Sequence, residues 1–265
     1  MKRLLIVLVI IAGLLTAADF GAAAAAEYQV SKRLRNELGL SDDPAVRVNG
    51  FPFAFQAMAG DYREVEVQAQ GVRVGELQDV HIEATLRHVR VPFSDIVGGT
   101  LREVRVDEVA GRVRLTASDI GRLINIPDLR IEPFTGELVE PVEGDEAGEG
   151  ENADAAQAEQ ADDDTTATVQ LTGSQDIGGD KTEITVVGTL SLTDGIIEIQ
   201  PRRLEIDPGT GALELPAEIQ DAVLSTFTAR IDPGGLPLDV TPTSVRAEHG
   251  ALIAGGTARD VVIRN

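Results

Sequence analysis

The chain has three histidines, the residues best suited to move protons near neutral pH, and none of them accompanies a nucleophile. His81 occupies a polar position of an alternating segment, His88 lies where that alternation shifts, and His249 lies in a predicted turn. The sequence has no Gly-x-Ser-x-Gly, no His-Glu-x-x-His, no phosphate-binding loop and no Cys. We therefore predict that the protein is not an enzyme. The alternative is a hydrolase or glycan-processing enzyme, because two carboxylates that meet in a cleft suffice for glycoside hydrolysis.

One acidic segment accounts for much of the formal net charge of −21. Between Glu140 and Asp164 there are eleven acidic residues and no basic one, so this segment cannot bury apolar surface. We predict a disordered loop at 140–166 inside the domain. It lacks the ligand spacing of an EF-hand, and we predict neither a metal site nor a cofactor. The chain also lacks a basic stripe and a set of stacking aromatic residues, which argues against nucleic-acid binding.

The N-terminal segment 1–26 has the pattern of an export signal. Lys2 and Arg3 precede an apolar run from Leu4 to Ala18, and the Ala-rich stretch at 22–26 offers Ala-x-Ala cleavage sites. Extended to position 26, the run is also long enough to span a bilayer, which takes about 20 residues. A cleaved signal peptide and an uncleaved anchor both remain open. Either one places the rest of the chain on the periplasmic side of the cytoplasmic membrane, anchored or released, since the basic residues stay inside.

Most of the remaining chain alternates apolar and polar residues, which is typical of antiparallel strands with one wet face and one dry face. The clearest runs are 64–70, 80–87 and 183–192. Two segments predict helices: a capping box begins at Thr116, and apolar residues follow Pro216 at four-residue spacing. We predict a single α+β domain over 27–265, in which one large curved antiparallel sheet wraps around a few helices.

The segment from Gly50 to Gly60 holds three of the seven Phe and one of the two Met. Pro52 suits the first turn of a helix and Gly60 suits its C-terminal cap, so we predict one or two helical turns. Four residues share a face of that helix: Phe51, Phe55, Met58 and Ala59. Such a helix either fills the core or lines a slot for a lipid, since Met and Phe adapt to irregular apolar partners.

A curved sheet of long strands encloses a hollow that three helices and few aromatic residues do not fill, and an acyl chain would fit there. The residues predicted to line this slot are Phe51, Phe53, Phe55, Met58, Phe93, Ile96, Leu123, Ile124, Val223 and Phe227. Cations near its mouth would meet a lipid phosphate, and the candidates are Arg63, Arg87 and Arg122. The competing interpretation of each apolar residue is a plain core position.

Three short elements of the sequence carry a resemblance to a known family. The first is Gly50-Phe51-Pro52-Phe53, followed by Gly60-Asp61-Tyr62 and a Val-Glu-Val strand. The second is Gly188-Thr189-Leu190-Ser191-Leu192 with Asp194-Gly195, and the third is the C-terminal Leu236-Pro237-Leu238 with Arg259-Asp260-Val261. These elements resemble the LmeA-like family of actinobacterial cell-envelope proteins, and the resemblance covers 27–265 apart from the acidic loop.

This resemblance implies a phospholipid-binding protein with a fold like that of bactericidal permeability-increasing protein, in which a curved sheet wraps a helix and holds acyl chains. It further implies a ligand of the phosphatidylinositol type and a role that supports the assembly of lipoglycan mannan. The expected partners are a phospholipid, a membrane surface and the lipoglycan machinery of the envelope. A structural envelope protein with a filled core is the third interpretation, beside the binding protein and the enzyme.

Overall fold

The computed structural model describes residues 2–98, 103–134, 136, 164–177, 180–193, 195–205, 217–231 and 242–264. Within these ranges the helices are α1 (Lys2–Leu38), α2 (Phe53–Ala59), α3 (Phe93–Gly98), α4 (Ala117–Leu123) and α5 (Ala217–Thr226). The strands are β1 (Ala45–Asn49), β2 (Asp61–Val74), β3 (Leu77–Arg90), β4 (Glu103–Thr116), β5 (Arg130–Pro133), β6 (Thr166–Ile177), β7 (Asp180–Thr193), β8 (Ile196–Glu205), β9 (Ala229–Ile231), β10 (Pro242–Glu248) and β11 (Ala251–Arg264).

The larger sheet is antiparallel and has the strand order β1-β2-β3-β4-β11-β10. Opposite charges face each other across its wet side: Arg87 lies 3.6 Å from Glu64 on β2 and 3.4 Å from Glu108 on β4. The alternate residues, such as Val80 and Val109, are fully buried on the dry side. The period-two alternation therefore fixes both the faces and the register of this sheet.

A second antiparallel sheet has the order β5-β6-β7-β8-β9. β10 at the edge of the larger sheet packs against β5, β6 and β7. The predicted α+β class with a large antiparallel sheet is confirmed. Of the strands that follow the acidic segment, β6 to β9 join β5 in this second sheet, whereas β10 and β11 return to the larger sheet, where β11 pairs with β4.

The buried residues form two clusters on the dry side of the larger sheet. The α4 cluster joins both sheets and includes Leu115, Ile120, Leu171, Phe227 and Leu252. The α2 cluster lies under the first three helices and includes Ala26, Phe53, Tyr62, Ile96 and Val109. β2 and β3 have 14 residues each and separate the two ends by about 45 Å at roughly 3.3 Å per residue.

The helices predicted within 50–60, from Thr116 and after position 216 are confirmed as α2, α4 and α5. Thr116 caps α4, and its hydroxyl accepts the backbone N–H of Asp119 at 3.2 Å. Gly60 ends α2 with a left-handed φ of 66°. Of the predicted acidic loop at 140–166, positions 140–163 lie outside the described residues, and Thr166 already begins β6. Pro216 and the segment 236–238 also lie outside them.

The N-terminal segment forms one helix that continues past every predicted cleavage site to Leu38. Its length and composition suffice to cross a membrane. The large apolar side chains from Leu4 to Leu15 are exposed, whereas Ala26 and Ser31 are buried against the domain. α1 therefore has a free apolar half and a packed half.

Candidate functional site

α2 packs on the domain through the face opposite to its apolar stripe. Phe53 and Gln56 are buried, whereas Phe51, Phe55 and Met58 are 54%, 69% and 84% exposed. The predicted helical periodicity is correct, and the stripe points away from the core. Phe53 therefore fills the core, whereas the stripe forms an exposed apolar surface.

The buried amide of Gln56 holds α2 between its two neighbouring segments. Its Nε2 donates to the carbonyl oxygen of Gly50 at 2.9 Å, and its Oε1 accepts the backbone N–H of Arg63 at 2.9 Å. Both polar ends of the side chain are thereby satisfied, which is what burial of an amide requires. The position of α2 relative to the start of β2 is fixed by these two hydrogen bonds.

The packed half of α1 supplies polar groups to the same region. The Asp19 carboxylate accepts the backbone N–H groups of Phe53 and Ala54 at 2.8 and 2.7 Å. Farther along α1, the Glu27 carboxylate accepts the backbone N–H of Val48 at 2.7 Å. The Ser31 hydroxyl donates to the carbonyl oxygen of Pro44 at 2.6 Å. α1 is thus joined to the domain by hydrogen bonds as well as by packing.

Three aromatic rings pack together at the α2 end of the sheet: Phe53 on α2, Tyr62 on β2 and Phe93 on α3. The ring of Phe53 lies 6.0 Å from that of Tyr62 and 6.2 Å from that of Phe93, the latter edge-on. Tyr62 is 2% exposed, and no group in the described ranges forms a hydrogen bond with its hydroxyl. Burial raises the pKa of this phenol above 10.0. A buried donor without an acceptor costs roughly 1–3 kcal/mol, so this hydroxyl is a ready partner for an entering acceptor.

An open groove of about 540 Å³ lies between the end of α2 and the start of α3. Pocket volumes of about 300–1,000 Å³ are usual for small-molecule sites. We call it the α2–α3 groove; its lining residues are Ala57, Met58, Ala59, Gly60, Arg90, Val91, Pro92, Phe93, Ser94, Glu103 and Arg105. It combines an apolar wall, supplied by the helices, with charged residues from the ends of β3 and β4.

The two arginines of the groove form ion pairs with carboxylates at the sheet surface. Arg90 donates to Asp107 at 2.6 Å, and Arg105 donates to Glu103 at 2.6 Å. Both guanidinium groups are more than half exposed, at 52% and 65%. Exposed pairs of this kind contribute about 0–1 kcal/mol, so the arginines can exchange these partners for a ligand anion at small cost.

The structure brings six of the ten predicted lining residues together and separates them from the other four. The six at the α2 end are Phe51, Phe53, Phe55, Met58, Phe93 and Ile96. The four in or against the α4 cluster are Leu123, Ile124, Val223 and Phe227. A single slot containing all ten would have to run the length of the larger sheet.

The three predicted head-group cations lie apart from the α2–α3 groove. Arg63 is exposed on β2 beside Gln56. Arg87 is ion-paired on the wet face of the sheet, and Arg122 pairs with Asp119 on α4 at the opposite end of the strands. The sequence analysis missed Arg90 and Arg105, whose strand-end positions depend on the register between β3 and β4.

Candidate catalytic groups lie scattered over the surface. His81 and His88 lie 3.5 and 3.4 Å from Asp79 and Asp61, at opposite ends of β3. The carboxylates of Glu64 and Glu66 converge on a single amide, since Asn49 Nδ2 donates to them at 2.9 and 2.8 Å. Within the described ranges no group of three or more His, Asp or Glu side chains is arranged to hold a metal ion.

Comparison with known proteins matches residues 17–257 of the 265 to a family model described as LmeA-like phospholipid-binding. No curated protein and no solved structure matches the chain. The matched region begins inside α1, just before Asp19, and includes α2, α3 and the whole of the groove lining. The packed half of α1 is therefore part of what the family model describes.

Proposed function

The chain belongs to the LmeA-like phospholipid-binding family, and on this premise we propose that the α2–α3 groove receives the phospholipid. The observation that carries the proposal is the composition of this groove. Apolar helix residues form one wall, and two exposed arginines also line the groove. The cluster beneath holds a buried hydroxyl that has no partner among the described residues. A phospholipid presents the matching sequence of groups: acyl chains, ester carbonyls and a phosphate.

The phosphate would bind Arg90 and Arg105, whose planar guanidinium groups match the geometry of an oxyanion. The acyl chain would pack against Met58, Pro92 and Phe93, with about 0.8 kcal/mol gained per methylene removed from water. An ester carbonyl that reached Tyr62 would accept the hydrogen bond that its hydroxyl lacks among the described residues. These contacts favour a bound lipid whose glycerol backbone lies over the aromatic rings.

The binding site of this proposal is confined to the α2 end. Met58 and Phe93 are the predicted lining residues that an entering acyl chain would meet first, since both line the groove, and Ile96 is buried on the same helix as Phe93. Phe227 and Val223 are buried between the two sheets, where they stabilise the fold. We propose a structural role for these two and for Leu123 and Ile124.

The biological setting follows from α1 and from the family. We propose that the protein is exported and acts at the periplasmic face of the cytoplasmic membrane, where it presents a lipid of the phosphatidylinositol type to lipoglycan assembly. Membership of a phospholipid-binding family favours a binding protein over an enzyme. The convergence of Glu64 and Glu66 on Asn49 uses both carboxylates in a structural hydrogen-bond network, which also supports this assignment.

Native mass spectrometry of the detergent-solubilised full chain tests the proposal, after incubation with vesicles of phosphatidylinositol or of phosphatidylcholine. We expect one phospholipid per chain, and the double variant Arg90→Ala, Arg105→Ala should lose most of it. The matched control is Arg130→Ala with Arg230→Ala, because these arginines are equally exposed and form ion pairs on the other sheet.

Three outcomes decide between the interpretations. Lipid loss in the groove variant alone supports the proposal. A chain that stays lipid-free with both vesicle types contradicts it and favours a structural protein. Released fatty acid or free head group in the vesicle fraction would instead identify an enzyme.

A further inference from the structure

The joint between the two halves of α1 lies at the level of α2. Phe20 is 62% exposed, and its ring stacks on that of Phe51 at 6.0 Å. Asp19, one residue earlier, accepts the first two backbone N–H groups of α2. The apolar stripe of α2 therefore continues the exposed apolar surface of α1 without a break.

The Asp19 carboxylate is the acceptor that the N-terminus of α2 otherwise lacks. Pro52 occupies the N-cap position and has no side-chain oxygen to receive those N–H groups. A carboxylate that accepts two such hydrogen bonds is also partly compensated for leaving water. The single acidic residue near the apolar segment is thus used for a contact that ties α1 to α2.

The length of the free half of α1 places this joint within a membrane. Leu4 to Ala18 covers about 22 Å at 1.5 Å per residue, whereas the hydrocarbon core of a bilayer is about 30 Å thick. A spanning α1 would therefore hold Asp19, Phe20 and the start of α2 about 8 Å inside the outer edge of the hydrocarbon core. Tyr28 and Lys32, whose ammonium group lies 4.6 Å from the Tyr28 ring, follow about two turns later at the height where such residues mark the membrane surface.

We propose that α1 is retained after export, and that Asp19 holds α2 at the outer end of the hydrocarbon core of the bilayer with Phe51, Phe55 and Met58 immersed. Cleavage within 22–26 would remove Asp19 and Phe20 and leave two N–H groups of α2 without their acceptor. Met58 also lines the α2–α3 groove, so the seated helix opens the groove toward the lipid. The inference rests on the proposed export of the chain, and it does not require the groove to hold a lipid.

Because the chain has no Cys, a single introduced cysteine can be labelled to test whether α2 lies in the membrane. Phe55→Cys, Met58→Cys and Glu76→Cys would carry an environment-sensitive fluorophore, in the full chain reconstituted into vesicles of phosphatidylcholine and phosphatidylglycerol. Glu76 is exposed in the turn between β2 and β3, at the far end of the sheet. We expect blue-shifted emission and loss of quenching by aqueous iodide at positions 55 and 58, and a water-like probe at position 76.

Asp19→Ala, combined with the label at position 55, should shift the emission of the probe back to longer wavelength and restore its quenching by iodide. Glu37→Ala is the matched control, because Glu37 is an exposed carboxylate near the other end of the same helix. The intact mass of the membrane-extracted protein gives the second readout. Blue-shifted labels and a mass that includes Lys2 to Ala26 support the proposal.

A mature N-terminus within 22–27, or equal quenching at positions 55, 58 and 76, overturns it. The label at position 55 lies outside the groove lining and reports the membrane seat independently of lipid occupancy, which the arginine variants of the groove report. A failure of the membrane seat and a failure of groove binding are therefore distinguishable.

Discussion

The rings of Phe53 and Tyr62 lie 6.0 Å apart and join the buried face of α2 to the beginning of β2. This contact places a phenol hydroxyl inside an apolar cluster where none of the described residues forms a hydrogen bond with it. Phe53 also touches Phe93, which lines the α2–α3 groove. The aromatic pair thus connects the helix that is proposed to face the membrane to the groove that is proposed to bind lipid.

Tyr62→Phe separates stability from lipid binding. Removing a buried hydroxyl without a partner should leave the free energy of unfolding unchanged or raise it by up to about 1 kcal/mol. The same change should weaken phospholipid binding by roughly 2- to 10-fold, the equivalent of one hydrogen bond. Urea unfolding and native mass spectrometry measure the two quantities, with Tyr28→Phe as the control. Unchanged lipid binding together with lower stability would contradict this role.

The stability of the domain should fall at alkaline pH through Tyr62. Burial raises the pKa of this phenol above 10.0, so the folded state favours the neutral form. The contribution of Tyr62 to stability is therefore constant below about pH 10 and is lost as the pH rises from there through the folded pKa. Tyr28→Phe leaves Tyr62 as the sole tyrosine, and tyrosinate absorbance then reports it alone. A phenol that titrates at or below its ordinary pKa would show that it is not buried.

Truncation of two predicted lining residues should give opposite results. Phe227 is fully buried in the α4 cluster, and Phe227→Ala should cost about 3–5 kcal/mol of unfolding free energy. Phe55 is 69% exposed on α2, and Phe55→Ala should change stability by less than about 0.5 kcal/mol. Phe55→Ala should instead weaken the membrane contact of α2, measured as increased iodide quenching of a fluorophore at position 58 in the vesicle-reconstituted protein. Equal destabilisation by both changes would refute the division between core and membrane surface.

The strands and short helices were predictable because local periodicity encodes them. The alternation in 64–70 and 80–87, the capping box at Thr116 and the cap at Gly60 each need only a few neighbouring residues to specify an element. The direction of the α2 stripe was not predictable in this way. An apolar stripe indicates burial in some apolar environment, and the sequence does not distinguish a protein core from a bilayer.

The contacts of the candidate site depend on long-range pairing. Asp19 lies 34 residues before Phe53, and its role appears once α1 is packed against the domain. Arg90 and Arg105 become neighbours of the groove through the register that places them opposite each other on β3 and β4. Tyr62 occupies an inward strand position in the motif that resembles the family, and a buried tyrosine hydroxyl usually needs a partner. The inward position of Tyr62 was therefore the sequence feature that drew attention to its hydroxyl, whereas the lack of a partner could be seen only in the structure.

The junction between α2 and β2 gives a further prediction, since two helices of this protein end in glycines of nearly identical conformation. Gly39 follows α1 with φ +62°, and Gly60 follows α2 with φ +66°. A Cβ at position 39 would meet nothing within 4 Å, whereas one at position 60 would lie 3.2 Å from the carbonyl oxygen of Val91. Both substitutions to Ala carry the cost of a left-handed residue, roughly 1–2 kcal/mol.

Gly60→Ala should lower the free energy of unfolding more than Gly39→Ala does, because the backbone of position 91 must also move. Gly60 accepts the Val91 N–H at 2.9 Å, and both residues line the α2–α3 groove. We therefore expect Gly60→Ala to lower phospholipid binding even under conditions where the variant is fully folded, and Gly39→Ala to leave binding unchanged. Urea unfolding and native mass spectrometry of both variants measure the two effects. Equal loss of binding in the two variants would show that stability alone, and not the shape of the groove, controls lipid retention.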